Sequence, residues 1–132
     1  VKLTLSMPYL PDLKAVGGNS RRNAHWSQRY KAAREAKERW VQEIRACLTP
    51  PMPTFKRPSL TITLVFATKR RRDRDNLQTG LKQCLDSMVS WGLLLDDSTD
   101  YLGPVDIIVE VDKARSPLTI VEIEGELAST MA

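Results

Sequence analysis

Positions 69–78 of this 132-residue chain read Lys69-Arg70-Arg71-Arg72-Asp73-Arg74-Asp75-Asn76-Leu77-Gln78, with two carboxylates one residue apart among five cations. Residues two apart in an extended segment point the same way, so Asp73 and Asp75 would offer both carboxylates on one side. Two hard oxygen donors, with water and a substrate phosphate completing the octahedron, are what Mg²⁺ accepts from a protein. An Asp immediately before a helix also serves as an N-cap, so Asp75 has a structural use too, whereas Asp73 has none. The crowded cations Lys69, Arg70, Arg71, Arg72 and Arg74 repel one another, and a phosphodiester would relieve that repulsion. Basic side chains would then hold the backbone beside a metal able to activate water. A second acidic pair, Asp96-Asp97, follows one helix later. Asp is common in such turns for local backbone hydrogen bonding, but a segment returning from the helix would let Asp97 join Asp73 and Asp75.

These residues need elements to position them. Lys2–Ser6 alternates apolar and polar residues and predicts a short strand, followed by a Pro-, Gly- and Asn-rich loop over residues 7–25. Ser27, as N-cap, opens a predicted helix to Cys47 whose stripe includes Trp40, Val41 and Ile44, and prolines 50, 51 and 53 end it. Ser59–Thr68 is the clearest strand, with Leu60, Ile62, Leu64 and Phe66 on one face. Leu77, Leu81, Leu85 and Met88 mark an amphipathic helix over Asn76–Ser90, although Gly80 weakens it. Strands are predicted over Pro104–Asp112 and Leu118–Glu124, then a frayed tail over Leu127–Ala132. The order β-α-β-α-β-β in one domain spanning residues 1–132 predicts an α+β two-layer sandwich, a mixed sheet of about four strands with two helices on one face.

Net charge is +4, but residues 1–75 hold 17 Lys+Arg against 6 Asp+Glu, while residues 76–132 hold 3 against 10. A basic half gives a footprint for a polyanion, and an acidic half opposes indiscriminate coating of nucleic acid or membrane. Arg21, Arg22 and Arg29, with Asn23 and His25, are further candidates to clasp phosphates before and within the first helix. Trp26, Trp40 and Trp91 each adjoin an apolar stripe and are expected as core or dimer contacts. No apolar run reaches the roughly 20 residues of a membrane span. Two cysteines with no CxxC make neither a disulfide scaffold nor a zinc site, so a cytoplasmic setting is expected.

The combination of Arg72-Asp73-Arg74-Asp75-Asn76-Leu77-Gln78 with Leu95-Asp96-Asp97 resembles the RusA-type Holliday-junction resolvases of bacteria and their phages. The resemblance extends to the order of elements and to the loop before His25-Trp26. It implies a homodimeric endonuclease, dependent on Mg²⁺ or Mn²⁺, that binds four-way DNA junctions and cuts paired strands symmetrically. It assigns the metal to Asp73, Asp75 and Asp97, and a DNA contact to Arg72. The family's required lysine, four residues after the second aspartate, is Thr79 here; Lys82, three residues on, lies on nearly the same helix face and is the candidate substitute. The rival expectation is a junction-binding homodimer that does not cut, and flaps or other branched DNA are alternative substrates.

Overall fold

The computed structural model describes residues 1–11, 26–49, 51–69 and 74–128, with side chains omitted for 26–29 and 74–76. In chain order the elements are β1 (Lys2–Met7), α1 (Trp26–Cys47), β2 (Ser59–Phe66), α2 (Arg74–Ser90), β3 (Val105–Val111) and β4 (Leu118–Glu124). The sheet order is β1-β4-β2-β3, with β4 antiparallel to both β1 and β2, and β3 parallel to β2. This is the α+β arrangement expected from the sequence, a mixed four-stranded sheet with two helices. The parallel pair needs a crossover, and α2 supplies it.

Strand alternation assigns one face of the sheet to the core. Leu5 and Met7 of β1, Val121 and Ile123 of β4, and Leu60, Ile62, Leu64 and Phe66 of β2 are all buried. Trp40 and Ile44 of α1 and Leu77, Leu81, Cys84 and Met88 of α2 join the same cluster. The helices therefore cover that face, and Ser87 Oγ and Trp91 Nε1 also donate to the α1 carbonyls of Lys37 and Val41, at 3.3 and 2.9 Å. Trp91 is thus an interhelical contact and Trp40 a core residue, as expected. Tyr9 packs edge-on against Trp40 at 4.7 Å between ring centres, with the Arg39 guanidinium 4.6 Å above the centre of the Tyr9 ring.

Several boundaries differ from the sequence reading. α1 begins at Trp26, so Ser27 is a helical residue and not the cap; α2 begins at Arg74, which places Asp75 inside the first turn. The α2 stripe buries Cys84 in preference to the half-buried Leu85, because the helix turns 3.6 residues at a time. Thr68 and Asp112 fall outside β2 and β3, and Met7 extends β1. The segment read as a frayed tail is tied down at its start, where Leu127 pairs with Phe55 and Ala128 N–H donates to Thr54 O at 2.7 Å.

α2 stops in a tight reversal. Gly92 has φ +80°, a left-handed conformation that glycine adopts without a Cβ penalty, and its N–H donates to Val89 O while Leu93 N–H reaches Met88 O, both at 3.0 Å. Buried Leu93 then accepts a bond from Phe55 N–H at 2.9 Å, which fixes where the following acidic segment starts.

Candidate nuclease site and its surroundings

The two acidic segments are positioned by different devices. Asp75 is carried by the backbone of the first turn of α2, where a carboxylate is favoured by the helix dipole. Helical backbone there replaces the extended geometry that would have aligned Asp75 with Asp73, so strand alternation does not orient this pair. Asp73, Arg70, Arg71, Arg72, Arg21 and Arg22 lie outside the described residues, as do the side chains of Arg29, Arg74 and Asp75. Lys69 is exposed just past the end of β2, and Lys82 and Thr79 are both exposed on α2.

Asp97 belongs to a loop held by main-chain bonds. Leu94 pairs with Phe55, and Thr99 O accepts Arg57 Nε at 3.0 Å. Tyr101 and Leu102 N–H close a turn on Ser98 O, and Gly103 N–H reaches Pro58 O at 2.8 Å. The loop thus runs beside residues 55–58 and delivers the chain into β3, whose partner Leu60 bonds to Pro104 O at 2.9 Å. A Cβ on Gly125 would come within 2.9 Å of Pro58 Cα, an approach that requires glycine, and one on Gly103 would stand 3.0 Å from Pro58 O, so that the backbone there would have to give. Asp96 Oδ1 accepts Asp97 N–H at 2.8 Å, the local backbone role expected of that turn, while both side chains remain exposed.

The described residues thus carry the loop that holds Asp97 alongside residues 55–58, among them Lys56 and Arg57. Those two cations line a groove of about 550 Å³ with Leu95, Asp100 and Tyr101. Lys56, Arg57 and Tyr101 were not legible in the sequence, since two cations between prolines and a lone Tyr form no motif; only the backbone pairing brings them to the loop that holds Asp97. Lys69 stands beyond the other end of β2, a strand rise of about 23 Å away. Asp75 and Asp97 are separated in the chain by the full helix, about 24 Å of rise, and by the reversal at Gly92. Among the described residues no group of three or more His, Cys, Asp or Glu side chains could hold a metal, and the meeting of Asp97 with Asp73 and Asp75 falls outside them.

Charge separates by layer as well as along the chain. On the sheet face away from the helices stand Asp106, Glu110, Glu122 and Glu124, with Lys2 bound to Glu122 at 2.7 Å. That hydrogen bond, with the attraction of Glu122, raises the Lys2 pKa. The helix side carries Lys31, Arg34, Lys37, Arg39, Arg45 and Lys82, of which Lys31 and Arg39 pair with Glu35 and Glu43 one turn on. Among the described residues, that sheet face is the more acidic one and would repel a polyanion.

No described helix is long and apolar enough to cross a membrane. Compared with models of known protein families and with curated proteins, the chain matches none.

Proposed function

We propose that this protein is a metal-dependent endodeoxyribonuclease that resolves four-way DNA junctions, acting as a twofold dimer in recombination and repair. The observation that carries the reading is the pattern Arg72–Gln78 with Leu95–Asp97, in which the first acidic pair precedes and opens α2 and Asp97 stands exposed on a loop pinned by backbone bonds. Asp73 and Asp75 are hard carboxylate donors one residue apart in the chain, Asp97 is the third donor that the resemblance implies, and no soft ligand stands among them, which fits Mg²⁺ or Mn²⁺. When bound, such an ion lowers the pKa of coordinated water and stabilises charge on a phosphate.

The chain's own residues do the remaining work. Lys69, Arg70, Arg71, Arg72 and Arg74 hold the phosphate backbone without reading sequence. Arg21, Arg22 and Arg29 extend that grip beside α1. Lys82 takes the position of the missing family lysine, one helical turn beyond Gln78, and steadies the scissile phosphate. The acidic sheet face turns DNA towards the helix layer and keeps its orientation unique.

A labelled four-way junction incubated with the protein and Mg²⁺ or Mn²⁺ tests the reading, with symmetrical nicks as the expected product. Asp75→Asn should reduce cleavage by at least about 100-fold, on the scale of losing a metal ligand, while junction binding is retained or tightened because a negative charge facing phosphate is gone. Lys82→Ala should slow cleavage more than it weakens binding. Junction binding without cleavage, in both metals, would replace the enzyme with the non-catalytic binding dimer.

A further inference from the structure

The loop that holds Asp97 also builds a cleft. Its residues Leu95, Asp100 and Tyr101 line the groove of about 550 Å³ together with Lys56, Arg57 and Glu126. Clefts of about 300–1,000 Å³ take a single small ligand, or one unit of a polymer. The lining is fixed before anything binds: Lys56 N–H donates to Glu126 O at 2.9 Å, Tyr101 N–H to Ser98 O at 3.0 Å, and Arg57 Nε to Thr99 O at 3.0 Å. That last bond engages one of the five guanidinium donors, so the head group is held in place with four still to give. Lys56 and Arg57 are exposed, and among the described residues neither forms an ion pair, although Asp100 and Glu126 line the same groove. Tyr101 and Leu95 are 44 and 48% exposed, an aromatic ring and an alkyl chain left half in water beside these charges.

This mixture matches the parts of a nucleotide. The cations suit its phosphate, the Tyr101 ring suits the face of its base, and the carboxylates suit the N–H donors on the edge of the base. A bare phosphate would meet two carboxylates as well as two cations, so the charges favour a ligand that carries donors along with its anion. A paired base has its donors engaged and its faces stacked, so only an unpaired one can use the groove.

We infer that the groove holds one unpaired nucleotide of the DNA strand, with its base stacked on Tyr101 and its phosphate held by Lys56 and Arg57. The identity of the polymer rests on the proposed function. Leu95 lies two residues before Asp97, a span of at most about 7 Å of chain, and one DNA strand carries a phosphate for every 3.4 Å or so of helix axis. The bound nucleotide therefore lies within a few positions of a cut made at Asp97. Branched DNA offers unpaired nucleotides where its strands diverge, whereas a continuous duplex must first lose stacking and pairing. The groove thereby selects branched over linear DNA.

Binding to a short single-stranded oligonucleotide, followed by fluorescence anisotropy in EDTA so that no cleavage intervenes, tests the groove. Tyr101→Ala should bind about 10- to 100-fold more weakly, and Tyr101→Phe, which keeps the ring, should match the wild type, both with unchanged circular dichroism spectra. On a strand of abasic sugar–phosphate units the difference between Tyr101→Ala and wild type should vanish. Lys56→Ala should flatten the slope of log K against log salt by about 0.7, the share of one phosphate on a single strand. Tyr101→Ala should also lower the ratio of junction to linear-duplex affinity. A wild-type protein that does not bind the single strand would overturn the inference. So would unchanged binding by Tyr101→Ala, or an equal loss on the abasic strand, even if junctions are cut. Strand binding that depends on Tyr101 in a protein that cuts no junction in Mg²⁺ or Mn²⁺ would keep the groove and remove the enzyme.

Discussion

β2 and β3 lie side by side, parallel and in register, with the same alternation of apolar residues, and their burial is opposite. From Ile62 to Phe66 every residue of β2 is buried, on both faces of the sheet; in β3 only Ile107 is even partly buried. Period-two patterning reports that a segment is a strand, but its depth is set by its neighbours. β2 has a strand on each side and both helices near it, whereas among the described residues β3 pairs with one strand only. An apolar strand that the fold leaves exposed is a different object from one that the fold consumes, and the two should respond differently to the same chemistry.

The largest expected contrast is in stability. Ile62→Ala removes fully buried methyl groups from the centre of the core and should cost about 2–5 kcal/mol. Val109→Ala should cost less than about 1 kcal/mol, since little is lost from a half-exposed site. Urea titrations compare the two; equal losses would mean that β3 is as deeply packed as β2.

Hydrogen exchange sharpens the contrast at single-residue level. The outward amides of Val105, Ile107, Val109 and Val111 should exchange far faster than those of Asp106, Ile108 and Glu110, which bond to β2. Uniform protection along β3 would erase the contrast.

The smallest effect compares the two thiols. Burial pushes the Cys84 pKa up to about 12, and the half-buried Cys47 thiol is also raised, though without full enclosure. A thiolate reagent at pH 8 should label Cys47 slowly and leave Cys84 unmodified until the chain unfolds. Folding thus favours the protonated thiol of Cys84; above its unfolded pKa, near 9, and up to about 12, rising pH erodes stability because the unfolded thiol ionises first.

The sequence revealed the sheet and helices where side-chain pattern encodes them, as in Leu60-Ile62-Leu64-Phe66 and the α2 stripe. It missed what the backbone alone decides. The Asp75 cap failed because α2 starts at Arg74, two residues before the expected Asn76, and the tail was underestimated because Ala128 is held through its amide. For the site, Asp97 could be picked out by its Leu-Asp-Asp context, but the course of its loop alongside residues 55–58 depends on the bonds between Phe55 and Leu93 and between Pro58 and Gly103. Those bonds are indifferent to side-chain type and leave no periodic trace.

At Pro58 four chain segments meet. Gly103 and Gly125 press on it from two sides, and Gly125 N–H in turn bonds to Val1 O at 3.0 Å, so one rim gathers the beginnings of β1, β2 and β3 and the end of β4. In a surveyor's sense that rim is a datum. The Asp97 loop is measured from it, and a placement tolerance of about 0.5 Å, which a functional carboxylate demands, is inherited from the whole sheet rather than negotiated by the loop.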